Sequence, residues 1–324
     1  MKAVLLIPCF NKSDYIERCL NAALAQTAHC TIIIFGPPST DGTDEKIIQI
    51  LGVDGEFLEV FEDLITPKEI NGHLVRWLRP PEHGFAGMNA GVNIDFNWVM
   101  GEIDADWCLF CSADDEAHPD RVKRTMEIAE EFNPSWIVCN QIYTREEDGS
   151  PQGETGFPDR YTRWISMLEG IQHQCGSSGG FAWARDLYMK YGPINHIESN
   201  DVILPIMALM ERGMYYIHEH LMTMYLHDDL NNVGAEGQVR GARNDQEKAQ
   251  LVENNNFQCT ATWNAILERI VAHGHDKKMS PEAQNAINEK IIGAGYQWAK
   301  SRAVLTVEKI PPLQFGAKAL GMME

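Results

Sequence analysis

Five short apolar runs punctuate the first 145 residues, each separated from the next by a segment of helical spacing. They are Lys2–Ile7, Thr31–Phe35, Leu74–Leu78, Trp107–Cys111 and Trp136–Tyr143. Runs this short and this apolar read as strands buried in a sheet. Between them, Tyr15, Ile16, Cys19, Leu20, Ala23 and Leu24 recur at helical spacing behind Asn11, a residue type that caps helices. Thr43–Leu51, the region Phe85–Met100 and Pro119–Phe132 read as further helices, the last opening on a proline as first turns often do. Strands spaced by helices predict a mainly parallel central sheet with right-handed crossovers, flanked by helices. Residues 52–73 read as an irregular, partly acidic insertion.

After Gly149 the pattern loosens. Gly176-Ser-Ser-Gly-Gly180 leads into an apolar segment, Phe181–Ala184. Ser199–Arg212 reads as a helix with Asp201 in its first turn, and Tyr215–Ile217 and Leu221–Tyr225 as two short strands. From about Gly234 the chain reads as helical and polar, with breaks at Asn254-Asn255-Asn256 and Gly274.

Composition narrows the class. None of the apolar runs approaches the ~18 residues of a membrane span, so no span is expected. The N-terminal run lacks the h-region and cleavage site of a signal peptide and reads as the first strand. The eight cysteines are scattered among apolar residues, the pattern of reduced, core-packed thiols in a cytoplasmic protein. Cys108 and Cys111 stand three apart on a strand and so point to opposite faces, which argues against a shared zinc ion. The formal net charge is −19. Residues 235–324 hold 11 basic and 10 acidic side chains, so the acidity lies in residues 1–234, with 16 and 36. An acidic body disfavours nonspecific binding to nucleic acid.

Chemistry concentrates where the Trp107–Cys111 strand ends, in Ser112-Ala-Asp-Asp-Glu-Ala-His-Pro119. Ligands of open α/β sheets bind outside the carboxyl ends of the strands. Asp114 and Asp115 there offer hard oxygen atoms to a divalent cation, which in turn can hold phosphate oxygens. The competing reading is a pair of acids capping the following helix. Asp104-Ala-Asp106 is a similar motif, but it precedes its strand and so falls at the wrong end of the sheet.

Several fragments together resemble the family 2 glycosyltransferases. These are Leu5-Leu-Ile-Pro-Cys-Phe-Asn-Lys12 with Tyr15-Ile16, Ser39-Thr-Asp-Gly-Thr43, Gly84-Phe-Ala-Gly-Met-Asn-Ala-Gly91 and Ser112–Arg121. Tyr191-Gly-Pro-Ile-Asn195, Glu198-Ser-Asn-Asp201, Arg212-Gly213 and Tyr225-Leu-His227 follow in the family's order. The resemblance covers roughly residues 1–230. It implies a GT-A-type fold and inverting transfer of a sugar from a nucleotide-diphosphate donor to an acceptor, with Mn²⁺ or Mg²⁺. By the same match, Pro8, Phe10, Asn11 and Asp41 line the nucleoside pocket, and Gly87, Asn89 and Gly91 let backbone approach the donor. Asp114 and Asp115 serve metal and donor, Asp201 is the general base, and His227 is a further metal or diphosphate contact.

The chemistry of these roles is elementary. A cation neutralises the charge that develops on a leaving diphosphate. A carboxylate base on the opposite side takes the acceptor's proton and allows in-line displacement. Each residue also has a plainer reading: Asp201 as a first-turn acid on the helix dipole, His227 as a member of a Tyr225–Asp228 hydrogen-bond cluster, and Trp136, Trp164 and Trp183 as core, with Trp183 the best placed to be a sugar platform. A helix start lowers a carboxyl pKa, so burial would have to offset it for Asp201 to be an efficient base.

Two departures from the family pattern stand out. Gly36-Pro37-Pro38 replaces the acidic residue that usually precedes Ser39 and contacts the base, which opens the question of which nucleotide is read. Ser112 replaces the first acid of the usual Asp-x-Asp-Asp, shifting weight to Asp114 and Asp115. The alternatives on the same fold are a sugar nucleotidyltransferase and a non-catalytic nucleotide-sugar-binding protein. The former generally has a Gly-rich, basic N-terminal loop, where this chain has Pro8-Cys-Phe-Asn-Lys12. Residues 1–233 are expected to form the catalytic domain, with 1–120 the nucleotide-sugar half and 121–233 the acceptor half. Residues 234–324 are expected to form a helical extension that covers the acceptor side or makes a homo-oligomer contact.

Overall fold

Strand β1 (Ala3–Pro8) is aliphatic on both sides, and each side enters a different core. Val4 and Leu6 face one apolar cluster; Ala3, Leu5 and Ile7 face the other, as period-2 alternation requires. The computed structural model describes residues 1–52, 67–79, 88–155, 161–173, 180–195, 198–226 and 245–305.

β1 lies between β2 (Thr31–Phe35) and β5 (Trp107–Phe110), parallel to both, and β4 (His73–Leu78) extends the parallel run beyond β2. The chain therefore steps outward from β1 to β2 to β4, then returns to start again on β1's other flank. That reversal is a topological switch point, and the crevice beyond the carboxyl ends of β1 and β5 is where such folds bind ligands.

The rest of the sheet is mixed. A short β3 (Lys68–Ile70) pairs antiparallel with β4 at one edge. On the other side β10 (Phe181–Ala184) runs antiparallel between β5 and β7 (Trp136–Arg145). β11 (Met214–Leu226) is parallel to β7, so its carboxyl end reaches the same edge as that of β5. It is one bulged strand rather than two: its register against β7 shifts between Ile217 and Met222, which joins the two predicted segments. β6 (Glu116–Ala117) and β9 (Arg163–Ile165) pair with β11, and β8 (Pro151–Thr155) with β7.

Helices α1 (Ile16–Leu24), α2 (Thr43–Leu51) and α4 (Arg121–Phe132) cover one face through residues such as Leu20, Ile47 and Val122. α3 (Met88–Glu102), α5 (Met167–His173), α6 (Arg185–Tyr191) and α7 (Asn200–Met210) cover the other. Each Leu or Ile buried this way contributes about 1.5–3 kcal/mol. Cys108 falls in one cluster and Cys111 in the other, so the C-x-x-C spacing does not form a joint ligand. All cysteines among the described residues are free thiols.

Beyond residue 244 two long helices, α8 (Asp245–Ala272) and α9 (Pro281–Leu305), pack as a hairpin on the second face. The expected break at Asn254–Asn256 does not occur, because α8 runs through it. Trp263, Ile266 and Ile270 anchor the helix in the core, and packing overrides weak local propensity. Gly274 does end α8, with φ +68° and the amide of His275 donating to the Ile270 carbonyl at 2.9 Å. Among the described residues no helix is long and apolar enough to cross a membrane.

One glycine sets the distance between the loops at the switch point. Gly36 has φ +149°, and a Cβ there would lie 2.2 Å from the Cys9 carbonyl oxygen. The Cys9 amide also donates to the Phe35 carbonyl at 2.8 Å. Gly36→Ala is expected to cost about 1–3 kcal/mol of strain, read as a lower denaturation midpoint. An unchanged midpoint would show that the loop relaxes freely.

Candidate active site

At the end of β1 the chain turns sharply. Asn11 adopts a left-handed conformation (φ +50°), and its side chain serves the turn rather than capping α1. Its Oδ1 accepts from the Thr40 amide at 2.8 Å, and its own amide donates to Ser39 Oγ at 3.1 Å. The cap position of α1 is Tyr15, without a side-chain cap bond. Asp41 ties the same two loops together. It accepts from the Ser13 amide at 3.0 Å and from Thr43 Oγ1 at 2.5 Å. Burial acts to raise its pKa, but the hydrogen bonds from Thr43 and Ser13 prevail and hold it below the usual carboxylate range. Pro8 closes β1 opposite Phe35 and Phe10 is half-buried beyond it, so these residues shape the crevice wall.

At the end of β5 stand the two acids. Asp114 Oδ2 receives Lys12 Nζ at 2.7 Å, in a pair largely shielded from solvent. Asp115 is 2% exposed. Its Oδ1 accepts the Tyr225 amide at 3.2 Å, while its Oδ2 is buried without a hydrogen-bond partner. Burial, and then the neighbouring Asp114 and Cys111, push its pKa well above the ordinary carboxylate value. Neither acid caps α4, whose cap position is Asp120.

Around them lies a shell that strand and helix patterns do not reveal. Arg18 donates to the Asp114 carbonyl at 2.7 Å, grips both oxygens of Glu146 at 2.9 and 2.8 Å, and stacks 3.4 Å over the Tyr225 ring. The Tyr225 hydroxyl donates to Glu116 Oε2 at 2.9 Å. Arg79, just past β4, pairs with Asp44 at 2.9 Å at the same edge of the sheet. A cation directly after a predicted strand was the one available signal for Arg79. Asp104 and Asp106 lie before β5, where Lys2 binds both, at the opposite edge.

Asp201 lies in the first turn of α7. Ser199 Oγ donates to its Oδ1. Burial outweighs that bond and raises its pKa, the offset that base chemistry at a helix start requires. α8 packs against α7, and burial, then the nearby Asp201 carboxylate, raise the pKa of the Cys259 thiol on α8. Trp136 and Trp183 are buried in an aromatic cluster with Phe181, so Trp183 is core; Trp164 is the exposed member of the three. Gly180 is packed so closely that a Cβ would lie 2.3 Å from the Gln141 side chain. Asn89 and Gly91 lie in the first turn of α3. Gly87, Gly176–Gly179 and His227 lie outside the described residues.

Asp114 and Asp115 suit a divalent cation that keeps some ligands for phosphate or water, since magnesium-type sites often use one or two carboxylates. The orphaned, buried Oδ2 of Asp115 fits that demand. Among the described residues no group of three or more His, Cys, Asp or Glu side chains converges into a complete protein-only cage.

Residues 4–191 match the model of the family described as "Glycosyl transferase family 2". Over 151 residues the chain is 27% identical to the chondroitin synthase of Pasteurella multocida (strain Pm70) and to the hyaluronan synthase of Pasteurella multocida. The match takes in 46% of this chain but 12% of each of those proteins, so the chain spans about an eighth of the curated relatives' length. Among solved structures it resembles S. aureus TarS 1-349 in complex with UDP-GlcNAc, with TM-score 0.54, 12% identity and coverage of 94% of this chain and 84% of that one. It also resembles the mannosyltransferase PcManGT from Pyrobaculum calidifontis in complex with GDP-Man and Mn²⁺, with TM-score 0.52, 12% identity and coverage of 99% and 78%. At these identities the structural likeness speaks for the fold.

Proposed function

This chain belongs to glycosyl transferase family 2 and is a glycosyltransferase on a GT-A fold; from that premise we propose that it moves a sugar from a nucleotide-diphosphate donor to an acceptor nucleophile, with inversion and with a divalent cation. The observation that carries this reading is the pair at the switch point: Asp114 held by Lys12, and Asp115 buried with one oxygen unpartnered. A buried carboxylate left in that state is costly by itself and becomes favourable against a cation. Asp114 and Asp115 would hold Mn²⁺ or Mg²⁺, which when bound supplies charge neutralisation for the leaving diphosphate.

The chain's own residues do the rest. Lys12 offsets one of two adjacent acids, so both can stand at the end of one strand. Tyr225 holds Asp115 through its backbone amide, and Arg18 holds Tyr225 and the Asp114 carbonyl together. Pro8, Phe10, Asn11 and Asp41 form the nucleoside side of the crevice, with Asn11 and Asp41 fixing the loops. Asp201 takes the acceptor's proton. By the family resemblance, Gly87 and Asn89 would serve the donor and His227 would be a further metal or diphosphate contact. The nucleotide-sugar half is residues 1–120, the acceptor half 121–233, and α8 and α9 form an extension on the acceptor side.

The donor base is read without the acidic side chain usual before Ser39, since Gly36 occupies that approach to β1. TarS is seen with UDP-GlcNAc and the mannosyltransferase with GDP-Man, so the test must span bases. UDP-, GDP-, ADP- and dTDP-sugars are incubated with Mn²⁺, Mg²⁺ or EDTA, and nucleotide release is followed. The expected result is slow hydrolysis of one nucleotide-sugar, lost in EDTA. Neither binding nor turnover across the panel overturns the reading.

A further inference from the structure

The segment that leads into Asp201 is fixed from outside the residues that match the family model. Two nitrogens of Arg269, on α8, reach it through three hydrogen bonds. Nε donates to the Tyr191 carbonyl at 3.0 Å; Nη2 donates to the Pro193 carbonyl at 3.2 Å and to Glu198 Oε2 at 3.0 Å. The remaining Nη1 donates to the Ala265 carbonyl of its own helix at 3.2 Å, which locks the planar fork in place. Glu198 is 5% exposed and also accepts from the amide and side chain of Asn195 at 3.1 and 2.7 Å.

Two turns earlier on the same helix, Thr262 is 1% exposed, and its Oγ1 accepts the Ser199 amide at 3.0 Å. Ser199 Oγ is the group that donates to Asp201. A continuous path therefore runs from α8 through Ser199 to the Asp201 carboxylate.

An ordinary interhelix ion pair would join two surfaces and leave the backbone alone. Here the guanidinium binds the last carbonyl of α6 and the Pro193 carbonyl as well as the carboxylate, and a hydroxyl from the same helix takes the amide directly before α7. Removing either partner leaves buried polar groups unmatched, so the backbone must shift to satisfy them. We propose that Arg269 and Thr262 are positioning residues of the transfer reaction: through Glu198 and Ser199 they set where Asp201 points toward the acceptor. The inference rests on the reading of Asp201 as the general base.

The test compares Arg269→Ala, Arg269→Lys, Thr262→Val and Asp201→Asn in the full chain. The assay is hydrolysis of the nucleotide-sugar turned over in the panel, with binding of the matching nucleotide diphosphate and Mn²⁺ by calorimetry. Misplacing a reacting group by about 1 Å costs on the order of 10²-fold. Arg269→Ala and Thr262→Val should therefore lower kcat ~10–100-fold while donor KM and nucleotide binding stay as in the parent. Arg269→Lys, which keeps the charge but cannot span the acceptors, should fall between. If Arg269→Ala fails to fold, the isosteric Thr262→Val decides. Parental kcat in the folded variants, alongside a dead Asp201→Asn, overturns the positioning role alone. Loss of nucleotide binding in step with kcat also overturns it, because the effect is then general. Parental activity in Asp201→Asn overturns the base reading, and the inference with it.

Discussion

Asp201→Asn should lower turnover by roughly 10²–10⁴-fold, the range general-base catalysis contributes. The substitution is nearly isosteric, and the asparagine carbonyl oxygen can still accept from Ser199 Oγ, so the first turn of α7 should keep its shape. Donor affinity should be unchanged. The pH profile adds a second, independent readout. Burial raises the Asp201 pKa, and a base works only when ionised. Parental turnover should therefore rise with pH along a limb displaced above the ordinary carboxylate range, and that limb should be missing from the residual activity of the variant. Full activity in Asp201→Asn would leave the base to be sought elsewhere on the acceptor side.

Asp115→Asn should have two opposite effects. Metal-dependent turnover should fall roughly 10³-fold, the several kcal/mol that a Lewis-acid cation contributes. Stability in EDTA should rise at neutral pH, because the asparagine amide carries no charge to bury. The sign follows from the raised pKa. The folded chain keeps the Asp115 proton at pH values where the unfolded chain has released it. Parental stability in EDTA should therefore decline as pH rises from the ordinary carboxylate range through the raised Asp115 value, and the variant should lack that decline. Thermal melts across pH, with and without Mn²⁺, check both effects. A variant that melts earlier and keeps its metal response would remove Asp115 from the site.

Much of this was legible because apolar runs are local signals. The strands β1, β2, β4, β5 and β7 lie where alternation with helices put them, and that order creates the crevice at the end of β5. The antiparallel insertion of β10 was not legible, since direction within a sheet depends on neighbours far along the chain. The same limit hid most of the site. Lys12 meets Asp114, Arg18 meets Glu146, and Tyr225 meets Asp115 across about a hundred residues of sequence, and spacing says nothing about such pairs. Asn11 shows the opposite failure. It has the chemistry of a helix cap, but it caps no helix: the Ser39–Thr40 turn, brought near by the parallel pairing of β1 and β2, takes its side chain instead. Asn254–Asn256 reads as a break only when the apolar stripe of Trp263, Ile266 and Ile270 further along the same helix is left out of account.

That asparagine triplet has an energetic meaning. Each asparagine is worse than alanine in a helix by up to about 0.7 kcal/mol, so α8 gains its order from docking rather than from its own residues. A helix held by its docked face opens as a cooperative unit, at a free energy below that of global unfolding. Thr262 and Arg269 ride on that unit. The geometry around Asp201 is therefore tied to a local folding equilibrium of the C-terminal hairpin, and amide exchange in α8 and in the Ser199 amide should share one opening event.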